Sequence, residues 1–260
     1  MKKAEILSMI RSNRPNDLKE WADYHLAIGF DKITIYDNES TFSVEELFSK
    51  YKKIVVRDIK TDVPPDAAIA CLYDFVSKEK EDEGNYIAFI DDDEYVYTKE
   101  NKNIKTILNN KMEVLCLYWK LLSSNNTLED REGTTIDTFN YTSVRGIDGD
   151  GTIPVKSIVN FNKCKNIKWT TDGPHLPTTD REMKTLSGEV FENGFGNRGL
   201  SNNFYDNQEI YLYHYFYQTH EDWLFKIKNR PHFSDSKFYR KPAYSILDNN
   251  MIDRKRELGI

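Results

Sequence analysis

The chain has 260 residues, 39% hydrophobic and 30% charged, which suits one α/β domain with appendages or two small domains and excludes a disordered chain. Its net charge of −6 argues against a surface built to follow a nucleic-acid backbone. Cys71, Cys116 and Cys164 have no metal-type spacing, cannot all pair and sit in apolar contexts, which reads as free buried thiols in a reducing compartment. The apolar run in "MKKAEILSMIRSNRP" is too short for a signal peptide, and no stretch is long enough to span a bilayer, so a soluble cytoplasmic protein is expected.

The first half alternates. "AEILSMI" reads as a strand, and "NDLKEWADYHLAIG" as a helix with Leu18, Trp21, Ala22, His25 and Leu26 on one face, capped by Asn16 or Asp17 and ended by Gly29. "KITIYD" is a second strand, "SVEELFSKY" a short helix and "KIVVRDI" a third strand. "PDAAIACLYDFVSKEKE" is a helix with prolines at its start, "YIAFID" a fourth strand and "EVLCLYW" a fifth, with a helix or turn near residues 103–110. Such alternation predicts a mostly parallel, Rossmann-like sheet with helices on both faces and ligands at the carboxyl ends of its strands. "SNRPN", "DNES" and "DDDE" all fall at those ends.

Beyond Trp119 the pattern changes. Residues 121–152 are rich in Asn, Asp, Gly and Thr and read as long loops; "TIPVKSIVNF" and "EIYLYHYFY" read as strands. "THEDWLFKIKNR" reads as a helix started by Thr219, with Glu221 and Asp222 in its first turn and Lys226, Lys228 and Arg230 toward its end.

The most unusual segment is "YIAFIDDDEYVY", in which a buried strand runs into Asp91, Asp92, Asp93 and Glu94. Carboxylates this close must raise some pKa values, stay exposed or bind a cation. In an extended chain Asp91 and Asp93 point one way and Asp92 and Glu94 the other, a spacing suited to joint coordination of a divalent ion and its phosphate ligand. The plainer reading is an acidic turn that solvates a strand end. His25, on the apolar helix face, reads as a core histidine bonded to backbone. His175 in "DGPHLPT" and His214 in "YLYHYFY" fit metal ligation or an aromatic-lined structural role equally. The loop "YDNES" offers Asp37, Asn38 and Ser40 to the edge of a base, or else forms an Asx turn; Arg11, Asn13 and Arg14 would lie beside it, able to meet a diphosphate. No GxGxxG, P-loop, GxSxG or HExxH pattern is present.

These residues resemble the glycosyltransferase family 92-like proteins, relatives of the family 2 enzymes. The resemblance rests on "NDLKEWADYHLAIGFDKITIYDNES" followed by "YIAFIDDDEYV", with weaker likeness in "VKSIV", "PHLP" and "HYFYQTHEDWLFKI", and covers residues 4–230. The chain departs from the family at "WKLLSSNN", where relatives carry a glycine-containing loop of small residues. The resemblance implies a single GT-A-type α/β domain: residues 1–119 binding the nucleotide sugar, 120–230 binding the acceptor, and 231–260 forming a helical, basic extension. It implies Mn2+- or Mg2+-dependent transfer from a nucleotide sugar, a UDP-sugar for preference, to a glycan or lipid-linked saccharide acceptor, as in bacterial surface polysaccharide synthesis, with inversion.

Under it Asp91-x-Asp93 is the DxD motif. Asp93 would bind the metal, and Asp91 the metal or the donor ribose, with Asp92 beside the cofactor. Asp37 and Asn38 would face the base, His175 or His214 would complete the metal or diphosphate contacts, and Lys226 would reach phosphate. For the general base the sequence offers Asp172, favoured for lying three residues from His175, with Glu94, Asp130, Glu132, Asp148 and Asp150 as further candidates. Two other classes stay open: a metal-dependent phosphohydrolase using the acid cluster, and a non-catalytic nucleotide-sugar-binding module. "KFYRKPAYSILDNNMIDRKREL" would either touch an anionic membrane, making the protein peripheral at its inner face, or pack as a helix on the catalytic domain.

Overall fold

The computed structural model describes residues 3–60, 86–108, 113–123, 131–142, 155–161, 209–229 and 246–260, with Leu72, Tyr73, Phe75, Val76, Leu186 and the backbone of five short strands between 152 and 201. The fold is mixed α/β and starts from a parallel run. Strands β1 (Ala4–Ile10), β2 (Lys32–Asp37), β3 (Ile54–Asp58) and β4 (Tyr86–Phe89) lie in the order β3-β2-β1-β4, each neighbouring pair parallel. All of β1 is buried, as a strand covered on both faces must be. Alternation divides it: Ala4, Ile6 and Ile10 pack into one apolar layer with Leu18 and Trp21, while Leu7 and Met9 pack into the other with Tyr73 and Val76. Leu72, Tyr73, Phe75 and Val76 are helical; the rest of the helix expected over "PDAAIACLYDFVSKEKE" lies outside the described residues.

Helix α1 (Pro15–Ala27) begins one residue earlier than the expected caps Asn16 and Asp17, because Pro15 brings a preset φ and has no N–H to satisfy. Its buried face carries Leu18, Trp21, Ala22 and His25 as expected, and also Glu20 and Tyr24. Gly29 follows the helix at φ 109°, and a Cβ there would stand 2.2 Å from the Asn103 side chain. Glycine is required at this position on both counts. Helix α2 (Val44–Phe48) is capped by Ser43, whose Oγ accepts from Glu46 N–H at 3.2 Å.

After β5 (Glu94–Thr98) come α3 (Ile104–Ile107), β6 (Val114–Ser123), α4 (Thr135–Thr138), β7 (Tyr141–Thr142), β8 (Thr152–Ile153), β9 (Val155–Asn160), β10 (Lys168–Thr170), β11 (Gly173–Thr178), β12 (Met183–Lys184), β13 (Leu200–Ser201), β14 (Ile210–Tyr217), α5 (His220–Asn229), β15 (Ile246–Leu247) and α6 (Asn250–Leu258). The parallel run stops at β4. Strand β9 inserts antiparallel between β4 and β6, so "EVLCLYW" joins the sheet through a strand from the second half of the chain. Strand β14 runs parallel to β6 and antiparallel to β5. Two halves are thus woven into one sheet.

Of the two readings of the C-terminal stretch, residues 250–258 follow the packed helix. Met251 and Arg254 are buried, and Lys255 Nζ meets Glu20 Oε2 at 2.7 Å and Asp137 Oδ2 at 2.6 Å. Cys116 is a buried free thiol that burial pushes up to about 12; Cys71 and Cys164 lie outside the described residues. No helix among the described residues is long and apolar enough to cross a membrane.

His25 is fully buried and joins two elements. Its Nδ1 donates to Trp21 O at 2.8 Å, and its Nε2 accepts from Val96 N–H at 3.1 Å. Burial pushes its pKa down to about 3, against the Trp21 bond, which favours the proton. Because the folded value lies below the unfolded one, the contribution of neutral His25 is complete above about pH 6.5 and is lost as pH falls toward about 3. Urea unfolding should therefore show His25 accounting for about 2 kcal/mol of lost stability between pH 7 and pH 5. His25→Leu should lack that component, while losing about 1–3 kcal/mol at pH 7 through the orphaned Val96 N–H.

Candidate functional site

The four acids form a turn rather than an extended strand end. Glu94 N–H donates to Asp91 O at 3.2 Å, and Asp91 N–H donates to Glu94 Oε2 at 2.8 Å. A turn brings its first and fourth residues together, so the expected alternation, with Asp91 beside Asp93 and opposite Glu94, does not hold. Asp91 and Glu94 share one cation, the Lys156 ammonium, at 3.0 Å and 3.5 Å. Asp93 is held separately by Lys226 Nζ at 2.6 Å, with His214 Nε2 at 3.4 Å.

Pairing of β14 with β5 places His214 opposite Glu94, and Tyr215 N–H donates to Asp93 O at 2.9 Å. The His214 ring sits edge-on to Trp119 and Phe216, with centroids 4.1 and 5.3 Å away. Its aromatic lining and its approach to a carboxylate thus occur together. Lys226 comes from α5, which Thr219 starts as expected: Thr219 Oγ1 accepts from Asp222 N–H at 3.2 Å, and Asp222 Oδ2 accepts back from the Thr219 hydroxyl at 2.8 Å. The Lys226 ammonium also donates to Phe216 O at 3.0 Å.

Charge is sorted among these groups. Burial works to raise the Asp93 carboxyl, but Lys226 and His214 outweigh it and hold Asp93 below the ordinary carboxylate range. Burial lowers the His214 pKa against the opposing pull of Asp93. Burial, Asp93 and Asp91 push Asp92 up to about 7, with Lys226 opposing. Glu94 lies well above its usual value, raised by burial against the opposing Lys156 charge, with Asp91 and Asp93 adding to the rise. Burial would strip the proton from Lys156, but Asp91 and Glu94 more than offset it. Glu94 is fully enclosed, so it braces the turn and does not face an acceptor.

Asp93 and His214 bring a carboxylate and an imidazole, both donor types that divalent cations accept, within 3.4 Å of each other. His214 Nδ1 and Glu94 Oε1 are buried without a hydrogen-bond partner and lie 3.9 Å apart. A divalent cation held by Nε2 would leave the ring proton on Nδ1, the nitrogen nearer Glu94 Oε1. Among the described residues no cluster of three His, Cys, Asp or Glu side chains is placed to hold a metal.

At the neighbouring strand ends, the "YDNES" loop is closed by its own aspartate, Asp37 Oδ1 accepting from Ser40 N–H, three residues on, at 3.0 Å. Ser40 Oγ accepts from Ser12 N–H at 2.9 Å, and Arg11 grips Asn38 O at 2.6 Å and Glu39 Oε2 at 2.7 Å. Asp37, Ser40 and Arg11 therefore build the loop. Asn38 is 7% exposed, and its Oδ1 has no hydrogen-bond partner among the described residues. Asn13 is half-buried, and Arg14 reaches Asp222 and, at 3.6 Å, Glu221. Asp222 also meets Arg131 at 3.5 Å, and Arg131 pairs with Asp17, whose carboxyl burial pushes up to about 6 against the Arg131 charge.

Asp130, Asp148, Asp150 and Asp172 lie outside the described residues; His175 is on β11, and Glu132 is exposed. Lys156 was not singled out from the sequence. Its signal was a lysine inside "VKSIVN", a strand in which all six residues are buried, since such an ammonium requires a carboxylate.

Lys156→Met should leave Asp91 and Glu94 without their cation and cost about 3–5 kcal/mol in chemical denaturation. Adding Asp91→Asn to that variant should recover part of the loss, and a merely additive double variant would count against the pairing.

No protein-family model matches the chain, and no curated protein matches it. Among solved structures it is similar to a Bacillus anthracis protein assigned as a glucose-1-phosphate thymidylyltransferase, in complex with sucrose, at 11% identity and TM-score 0.29, over 52% of this chain and 63% of that one. It is also similar to 4-diphosphocytidyl-2C-methyl-D-erythritol synthase from Anaerococcus prevotii, at 11% identity and TM-score 0.32, over 62% of this chain and 72% of that one. The chain spans less than two thirds of the first protein's length. At these scores the likeness carries no argument, and the fold rests on the sheet order above.

Proposed function

We propose that the chain is a metal-dependent glycosyltransferase of GT-A type that moves a sugar from a nucleotide sugar, preferentially a UDP-sugar, to a glycan acceptor. The observation that carries this reading is the meeting of Asp93, His214 and Lys226 at the carboxyl end of β4, two strands from the Asp37–Ser40 loop. The resemblance of "YDNES" and "DDDE" to the family 92-like pattern supports it.

Asp93 and His214 would hold Mn2+ or Mg2+, which when bound supplies Lewis-acid stabilisation of the departing diphosphate. Lys226 meets diphosphate oxygens. Asp91, kept in place by Lys156 and the turn, faces the donor ribose, and Asn38 offers its unmet amide to the base. The acceptor hydroxyl attacks the anomeric carbon as the bond to the diphosphate oxygen breaks, with inversion, and its proton passes to a carboxylate. Asp172 is assigned that role, with Asp150 next; Glu94 orients His214.

Thermal-shift titration with nucleoside diphosphates, with and without Mn2+, tests the donor class. UDP with Mn2+ should stabilise the protein, and Asp93→Asn or His214→Ala should abolish the Mn2+-dependent part and lower transfer by about 10²–10³-fold. A UDP shift indifferent to Mn2+ and to Asp93→Asn would remove the cation from this reading. Asn38→Ala should weaken UDP binding with the Mn2+ dependence retained.

A further inference from the structure

The acidic turn carries two lysines of different character. Lys156 is 1% exposed near the start of β9, between buried neighbours. Lys226 is 22% exposed on α5 and reaches over the Phe216 ring, 5.1 Å from its centroid, to Asp93 Oδ2 and Phe216 O. The carboxylate that Lys226 holds at 2.6 Å is the one that faces His214 Nε2 through its other oxygen at 3.4 Å. An ammonium and a divalent cation on one carboxylate would stand within a few ångströms of each other, where like charges repel strongly.

We propose that Lys226 is an exchangeable placeholder: it neutralises Asp93 in the nucleotide-free protein, is released when a divalent cation binds there, and transfers its ammonium to the diphosphate. The proposal rests on the reading of Asp93 and His214 as cation ligands. It gives one side chain opposite effects on one metal. Without nucleotide, Lys226 competes with the cation; with a diphosphate present it has a new anionic partner and supports the ternary complex. A lysine that only props α5 against the turn would produce no reversal of sign.

The experiment is titration of Mn2+ into wild-type protein and Lys226→Met, with free Mn2+ read by electron paramagnetic resonance, first alone and then with saturating UDP. For Mn2+ alone, Lys226→Met should bind about fivefold or more tightly than wild type, since a part-exposed ion pair no longer competes. With UDP the order should invert. Lys226→Gln should behave as Lys226→Met, and Lys226→Arg as wild type in the absence of nucleotide. Unchanged or weaker Mn2+ binding by Lys226→Met alone would overturn the exchange; the cation site itself would still stand if Asp93→Asn abolished wild-type binding. Absence of Mn2+ binding in wild type and variants alike would overturn both.

Discussion

The fold around the site depends on one ammonium reaching one turn. Four acids at the end of a fully buried strand would drive that end toward solvent unless a positive charge were supplied from inside, and Lys156 supplies it from β9. Its partners are the first and fourth acids, the two that the turn brings together, so charge pairing and backbone reversal enforce each other. Because β9 lies between β4 and β6, the same contact fixes where the second half of the chain enters the sheet. Removing one charge from such an interior leaves its partners stranded, which is why the pairing constrains the architecture more than its net energy suggests.

With Asp91 and Glu94 tied to Lys156, Asp93 is the acid that meets His214 and Lys226. Strand β14, antiparallel to β5, delivers His214 beside it, and α5 delivers Lys226 within one helical passage of the same strand. A carboxylate, an imidazole and an ammonium from three elements then share a corner whose walls are Trp119 and Phe216. Aromatic edges of this kind exclude water from the imidazole and strengthen its interaction with any charge on its open side.

The parallel run, the helix faces, the end of α1 at Gly29 and the backbone-bonded His25 were legible because each follows from short-range periodicity or backbone sterics. The acid cluster was legible as an anomaly, and Thr219 as a helix start. The pairing of its members was not, because alternation was assumed where the chain turns, and because Lys156 lies 65 residues from Asp91. Position β9 in the sheet is a non-local fact of the same kind. The loop "YDNES" showed a complementary limit: its composition fits a turn and a binding loop alike, and the contacts place Asp37 and Ser40 in the turn while Asn38 Oδ1 has no partner among the described residues.

The contact between Lys255 and Glu20 spans 235 residues, and that between Arg14 and Asp222 spans 208. Both act on α1: Glu20 lies on its buried face and Arg14 caps its amino-terminal end. Helix α1 is therefore clasped by α5 and α6, both about two hundred residues further along the sequence, and the parallel run alone does not supply its full set of contacts. Closing loops of that length costs chain entropy before any contact repays it, which favours slow, cooperative folding over independent closure of the parallel run.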